Sequence, residues 1–159
     1  MAGNSGAIAR IAVRIQVGSH RMAASDDPLF LGLRGPAGRE FRLQLAHSRA
    51  LRRGADDRFV IGAPDDPATN LANAELNDPT TPALAAADIG GAYLRKGFEP
   101  IPNVRGHGEM DDRLELVEVE VEIEVEAAPK ALRFQRRGPI WLGLLAGLHL
   151  EIPRADAGG

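Results

Sequence analysis

The chain has 159 residues, a formal net charge of −3, 44% hydrophobic residues and no cysteine. A single domain of this length buries roughly 70% of the surface its unfolded chain exposes, so a core can form without disulfides or a structural metal. The charge excludes the basic footprint of a nucleic-acid binder, the missing cysteine excludes disulfides and thiolate chemistry, and no apolar run approaches the ~20 residues of a membrane helix. Residues Met1 to Gly6 lack the basic and apolar regions of a signal peptide, which makes a cytoplasmic protein the expectation.

The first element is a strand over Ile8 to Val17. Ile11, Val13, Ile15 and Val17 alternate with Arg10, Ala12, Arg14 and Gln16, a period of two. Gly18 ends it, and a polar loop runs to Asp27. Leu29, Leu31 and Leu33 follow Pro28 on alternate positions. Gly35-Pro36-Ala37-Gly38 is a turn, and Phe41, Leu43 and Leu45 alternate after it. The two runs predict a hairpin over 29–45. Phe59-Val60-Ile61 is a short strand behind the polar turn at 52–57. From 62 to 112 the chain is rich in Pro, Asn, Asp and Ala. Structureless loops of that length are rare in compact domains, so partial structure is expected. Thr81-Pro82 before Ala83 to Asp88 predicts a short helix, with threonine as N-cap and proline at the first helical position. Gly90-Gly91 stops it, and Tyr93 to Ile101 adds a short strand.

Leu114 to Glu126 carries the clearest pattern. Val117, Val119, Val121, Ile123 and Val125 form one face, and Glu118, Glu120, Glu122, Glu124 and Glu126 form the other. A strand separates these sets, whereas a helix would scatter them. Leu132-Phe134, Ile140-Leu144 and the alternating Leu148, Leu150 and Ile152 complete the pattern. The fold class that results is all-β: an antiparallel β-sandwich of about eight strands, with one long insertion containing a short helix. It forms one domain over 1–159, with an ordered core at 7–153 and the insertion at 62–112. Five like charges on one face repel, so arginines from Arg10, Arg14, Arg42 or Arg133 should lie beside the glutamates. The face is then a solvated surface with ion pairs of ~0.2–1 kcal/mol each. Its alternative role is to dock a basic partner.

His20, His47, His107 and His149 lack zinc-ligand spacing, and the chain has no nucleophile elbow or phosphate loop. Loop carboxylates are the better candidates. If the loops carrying Asp26, Asp27, Asp56 and Asp57 share one end of the sandwich, they could converge on calcium, which takes six to eight oxygens. Aspartates at such places also simply shape turns through hydrogen bonds to the backbone. The apolar run Ile140 to Leu148 reads as two core strands and a tight turn. Trp141 and Leu145 within it are the candidates for an exposed patch marking a partner or homo-oligomer interface.

Ile11 to Val17, the Gly18 loop, Ser25-Asp26-Asp27-Pro28 and Leu29-Phe30-Leu31-Gly32-Leu33 together resemble the opening of the PLAT/LH2 domain. Arg53-Gly54-Ala55-Asp56-Asp57-Arg58-Phe59 is similar to the segment that follows in that family. The resemblance covers about residues 8–61. It implies an eight-stranded antiparallel sandwich without catalytic activity, binding lipid surfaces or proteins, in some members with calcium at loop carboxylates, which Asp26, Asp27, Asp56 and Asp57 match. Aromatic residues make up 4% of the chain, which leaves few side chains for insertion into a membrane. The expectation is therefore a non-catalytic interaction module binding a protein partner or surface. The alternative is a structural subunit of a homo-oligomer or larger assembly, and an enzyme using loop carboxylates ranks behind both.

Overall fold

The computed structural model describes residues 6–36, 38–97, 101–104, 108–110, 113–144 and 146–155. Ten strands occur among them: β1 (Ile8–Val17), β2 (Leu29–Arg34), β3 (Arg39–Arg42), β4 (Asp56–Ile61), β5 (Gly91–Lys96), β6 (Ile101–Val104), β7 (Gly108–Met110), β8 (Leu114–Val125), β9 (Leu132–Leu142) and β10 (His149–Ile152). Eight of them build two four-stranded sheets, ordered β4-β1-β8-β9 and β10-β5-β2-β3, while β6 and β7 form a separate hairpin. Neighbouring strands are antiparallel throughout. The chain is thus an all-β sandwich, as its alternating pattern requires. Ile11, Val13 and Ile15 of β1, Leu31 of β2, Leu94 of β5 and Val119 of β8 meet in a core closed to water.

The predicted hairpin forms, with Phe30 opposite Arg42 and Leu33 opposite Arg39. In β8 the alternation changes phase once. Leu114 and Leu116 face inward, and so do Val119, Val121 and Ile123. Val117, expected in the core, is the extra residue of a bulge and is 43% exposed. An odd spacing between two inward runs demands such a residue. On β9 the bulge is matched by Gly138-Pro139, which lie between Arg137, paired with Glu118, and Ile140, paired with Leu116. A Cβ on Gly138 would stand 2.1 Å from the Leu116 carbonyl oxygen, so only glycine fits there. The two runs expected at 132–134 and 140–144 are consequently one strand, β9, ending at Leu142.

After β4 the chain closes one side of the sandwich through residues 70–72 and then enters the second sheet as β5. Asn70 completes the open edge of β4: its Oδ1 accepts the Val60 N–H at 2.8 Å and its Nδ2 donates to the Arg58 carbonyl at 2.9 Å. Its own carbonyl accepts the Ala46 N–H, and Ala72 donates to Gln44. Residues 70–72 therefore bridge the two sheets. On the other side, Gln135 of β9 donates to the Pro153 carbonyl and Ala155 to Arg133. Among the described residues both edges of the first sheet, where another chain could add, are thus partly covered. The helix expected over 83–88 is reduced to a three-residue 3-10 turn at Ala86–Asp88. Its backbone is used elsewhere, since Leu84 accepts the Ile8 N–H at 2.9 Å and Ala86 donates to Gly6 at 2.7 Å. Tertiary pairing with β1 thus overrides helix propensity. Among the described residues no helix is long and apolar enough to cross a membrane.

Candidate functional site at one end of the sandwich

The antiparallel order brings the ends of β1, β3, β5 and β9 together with the starts of β2, β4, β8 and β10. Gly18 donates to the Glu115 carbonyl, Glu115 to Ala23, Val17 to Ala55, Gly97 to Pro28 and Lys96 to Leu148. The loops after β1, β3 and β9 are thereby tied into one end, and Asp26, Asp27, Asp56 and Asp57 all belong to it.

The four carboxylates share that end but do not converge. Asp26 is exposed and forms an ion pair with Arg49. Asp27, with its side chain 6% exposed, meets the Lys96 ammonium, with 2.5 Å between Nζ and Oδ2. Asp56 turns to the outer face of the first sheet, where Arg14 grips it with two hydrogen bonds of 2.9 and 2.7 Å. That grip holds the Asp56 carboxyl below the usual carboxylate range. Asp57 turns the other way and accepts the Leu51 N–H at 2.7 Å. Asp56 and Asp57 are consecutive in β4 and so point to opposite faces, while Asp26 and Asp27 are drawn to separate cations. Among the described residues no group of three or more acidic or histidine side chains is placed to hold a metal. A calcium shell of six to eight oxygens does not fit carboxylates divided among a lysine, two arginines and a backbone N–H.

Lys96 is the residue that sequence reasoning missed. It sits on the inner face of β5, in phase with Ala92 and Leu94, and is 1% exposed. The chain contains lysine only at 96 and 130, and one of the two continues an apolar inward register. That combination was the available signal.

Trp141 lies on β9 with its indole half-buried. The His20 ring stands edge-on to it at 5.6 Å, and the Arg113 guanidinium lies over it at 4.8 Å. The ring is therefore clamped between the loop after β1 and the residue before β8. Leu145 lies outside the described residues. Gly143 and Gly147 exchange two backbone hydrogen bonds and form the tight turn expected there. Leu144 at the tip is 49% exposed, and Met22 in the loop after β1 is 44% exposed. Arg21, Arg52, Arg53 and Arg113 are exposed around this end. A cleft of about 350 Å³ opens between 25–29 and 42–51, floored by Leu29 and Leu43 and rimmed by Asp26, Arg42 and Arg49.

No family model matches the chain, and no curated protein matches it. Solved structures do. An alpha-toxin from an avian strain of Clostridium perfringens is 14% identical, with a TM-score of 0.57 over 95% of this chain and 33% of the toxin. The alpha-toxin of Clostridium absonum is 15% identical, with a TM-score of 0.59 over 92% of this chain and 32% of that one. A coral 8R-lipoxygenase, described as activated by calcium through a C2-like domain, is 12% identical, with a TM-score of 0.55 over 94% of this chain and 17% of the enzyme. The chain spans a third or less of each. The likeness is one of fold, and the fold is the PLAT-like sandwich that the residues of 8–61 resemble.

Proposed function

We propose that the protein is a non-catalytic interaction module that docks a protein partner through the loop end of the sandwich. One observation carries this reading: Met22 and Leu144 are exposed at the same end as the clamped Trp141, and Arg21, Arg52, Arg53 and Arg113 are exposed on the loops there. An apolar centre with a rigid aromatic anchor and a charged rim is the usual anatomy of a docking patch. The excess of arginine favours an acidic partner surface. The two carboxylates lining the cleft, Asp26 and Asp27, are each taken up by a cation, which favours a binding role over acid-base chemistry. Calcium activation, described for the coral lipoxygenase, would translate here into a docking end held by metal at the four aspartates. The ion pairs of Asp26, Asp27 and Asp56 favour an end that is already neutralised.

A photo-crosslinking side chain at position 144, with one at 76 as control, tests the docking surface. Leu76 is more exposed than Leu144, at 78%, but lies on the covering segment. Adducts with a distinct protein from 144 and none from 76 are expected. Equal labelling from both positions would remove the assignment. Light scattering identifies a second copy as the partner, and sedimentation with anionic vesicles identifies a lipid surface.

A further inference from the structure

We propose that the Lys96 ammonium is a permanently attached counter-ion that neutralises Asp27 at the loop end, so that this end is preformed without calcium. The side chain leaves the inner face of β5 at the last paired position of the strand, with Leu29 of β2 opposite its backbone. Its stem extends the apolar layer of Ala92 and Leu94 and brings the charge to the loop after β1. There Nζ meets Asp27 Oδ2 at 2.5 Å and the Gly97 carbonyl at 3.3 Å, an anionic and a neutral oxygen, as a small cation would be met. The Lys96 and Asp27 side chains are 1% and 6% exposed. Either charge left alone at that burial is costly, so removing one partner weakens the closure.

The closure is tightened on both flanks. Gly97 donates to the Pro28 carbonyl at 2.7 Å, and Asp27 donates its N–H to Ser25 Oγ at 3.1 Å. The loop that carries Met22 is thus fastened to β5 by one tethered charge. A mobile divalent ion makes such a closure conditional on its concentration, whereas a lysine on the chain makes it constant. A divalent ion placed beside Asp27 would also have to displace a buried ammonium and leave it without a counter-ion.

The final consequence, calcium-independent docking, rests on the docking end proposed above. The closure itself is tested on the free protein. Calorimetry of the wild type with millimolar calcium chloride should give no heat of binding, and its melting temperature should be the same in calcium and in a chelator. Lys96→Ala should lower the melting temperature by roughly 10 °C. Added n-propylammonium, which fills the vacated stem and restores the charge, should recover part of that loss. Isosteric n-propanol should not. A second variant, Lys96→Met with Asp27→Leu, removes both charges and should melt well above Lys96→Ala. Calcium binding to the wild type that Asp27→Asn abolishes would overturn the proposal. So would rescue by propanol as complete as by the ammonium, or a double variant no better than Lys96→Ala. Failure of the docking reading would show instead in the crosslinking pattern at 144, with these results unchanged.

Discussion

The buried pair at the loop end and the exposed ladder on the first sheet use the same chemistry in opposite surroundings. On the ladder, Arg10 reaches Asp66 at 2.7 Å and Glu124 at 3.5 Å, and Arg14 reaches Asp56 at 2.7 Å and Glu120 at 3.8 Å. Register explains the pairing, since β1 lies beside β8 with Arg10 opposite Glu124 and Arg14 opposite Glu120. On the other flank Arg133 stands opposite Glu122 and Arg137 opposite Glu118. Gln135 of β9 donates its amide to both Glu118 and Glu120 and relieves their repulsion. These groups are half in water, so each pair gains little beyond what hydration already supplies. Lys96 and Asp27 have no such recourse. The lesson is that burial, rather than the number of pairs, decides which electrostatic contact the fold depends on.

The largest effect should come from breaking the buried pair on one side only. Lys96→Met is expected to cost about 3–5 kcal/mol in urea unfolding, because it leaves Asp27 buried without a partner. Adding Asp27→Leu should recover most of that loss, since two charges leave together. On the ladder, Arg14→Ala should keep the melting temperature within about 2 °C of wild type at physiological salt, and closer still at high salt.

Acid should act next. Glu40 is held below the ordinary carboxylate range by the Arg95 guanidinium, and Asp56 by Arg14. A depressed carboxylate contributes stability above its unfolded pKa and loses that contribution as pH falls through the folded value. Stability should therefore decline below about pH 4, where the unfolded carboxylates begin to take up protons, and Arg95→Ala should shallow that decline in an unfolding titration. The smallest effect has the opposite sign. Glu120 is pushed up, chiefly by its hydrogen bond with Glu118, so its contribution is lost as pH rises through that raised value. Glu120→Gln should slightly raise stability at neutral pH, and the gain should vanish in acid and shrink with salt.

Much of the sandwich was legible in the chain. Period-two alternation marks β1, β2, β8 and β10 because one face of each is buried and the other is wet. The prediction that arginine would sit beside the glutamate face follows from like-charge repulsion, and Arg10, Arg14 and Arg133 fulfil it. Arg42 does not, because β3 belongs to the other sheet. The site was less legible. Asp26, Asp27, Asp56 and Asp57 lie at one loop end; strand alternation sends Asp56 and Asp57 to opposite faces, but the loop at Asp26 and Asp27 carries no repeating pattern that fixes which side chain turns inward. The helix at 83–88 followed local propensity, and β1 claimed its backbone instead.

Alternation, turn residues and charge repulsion thus determined, without any coordinates, that this chain makes an antiparallel sandwich with a paired glutamate face. They act between near neighbours along a strand or across a pair, so they can be read residue by residue. Only the tertiary structure decided that Asp27 would be answered by Lys96, 69 positions away, rather than by its neighbouring carboxylate or a metal. The reason is physical: a contact between the inner face of one strand and the loop before another exists only once the sheet has placed both beyond the reach of water.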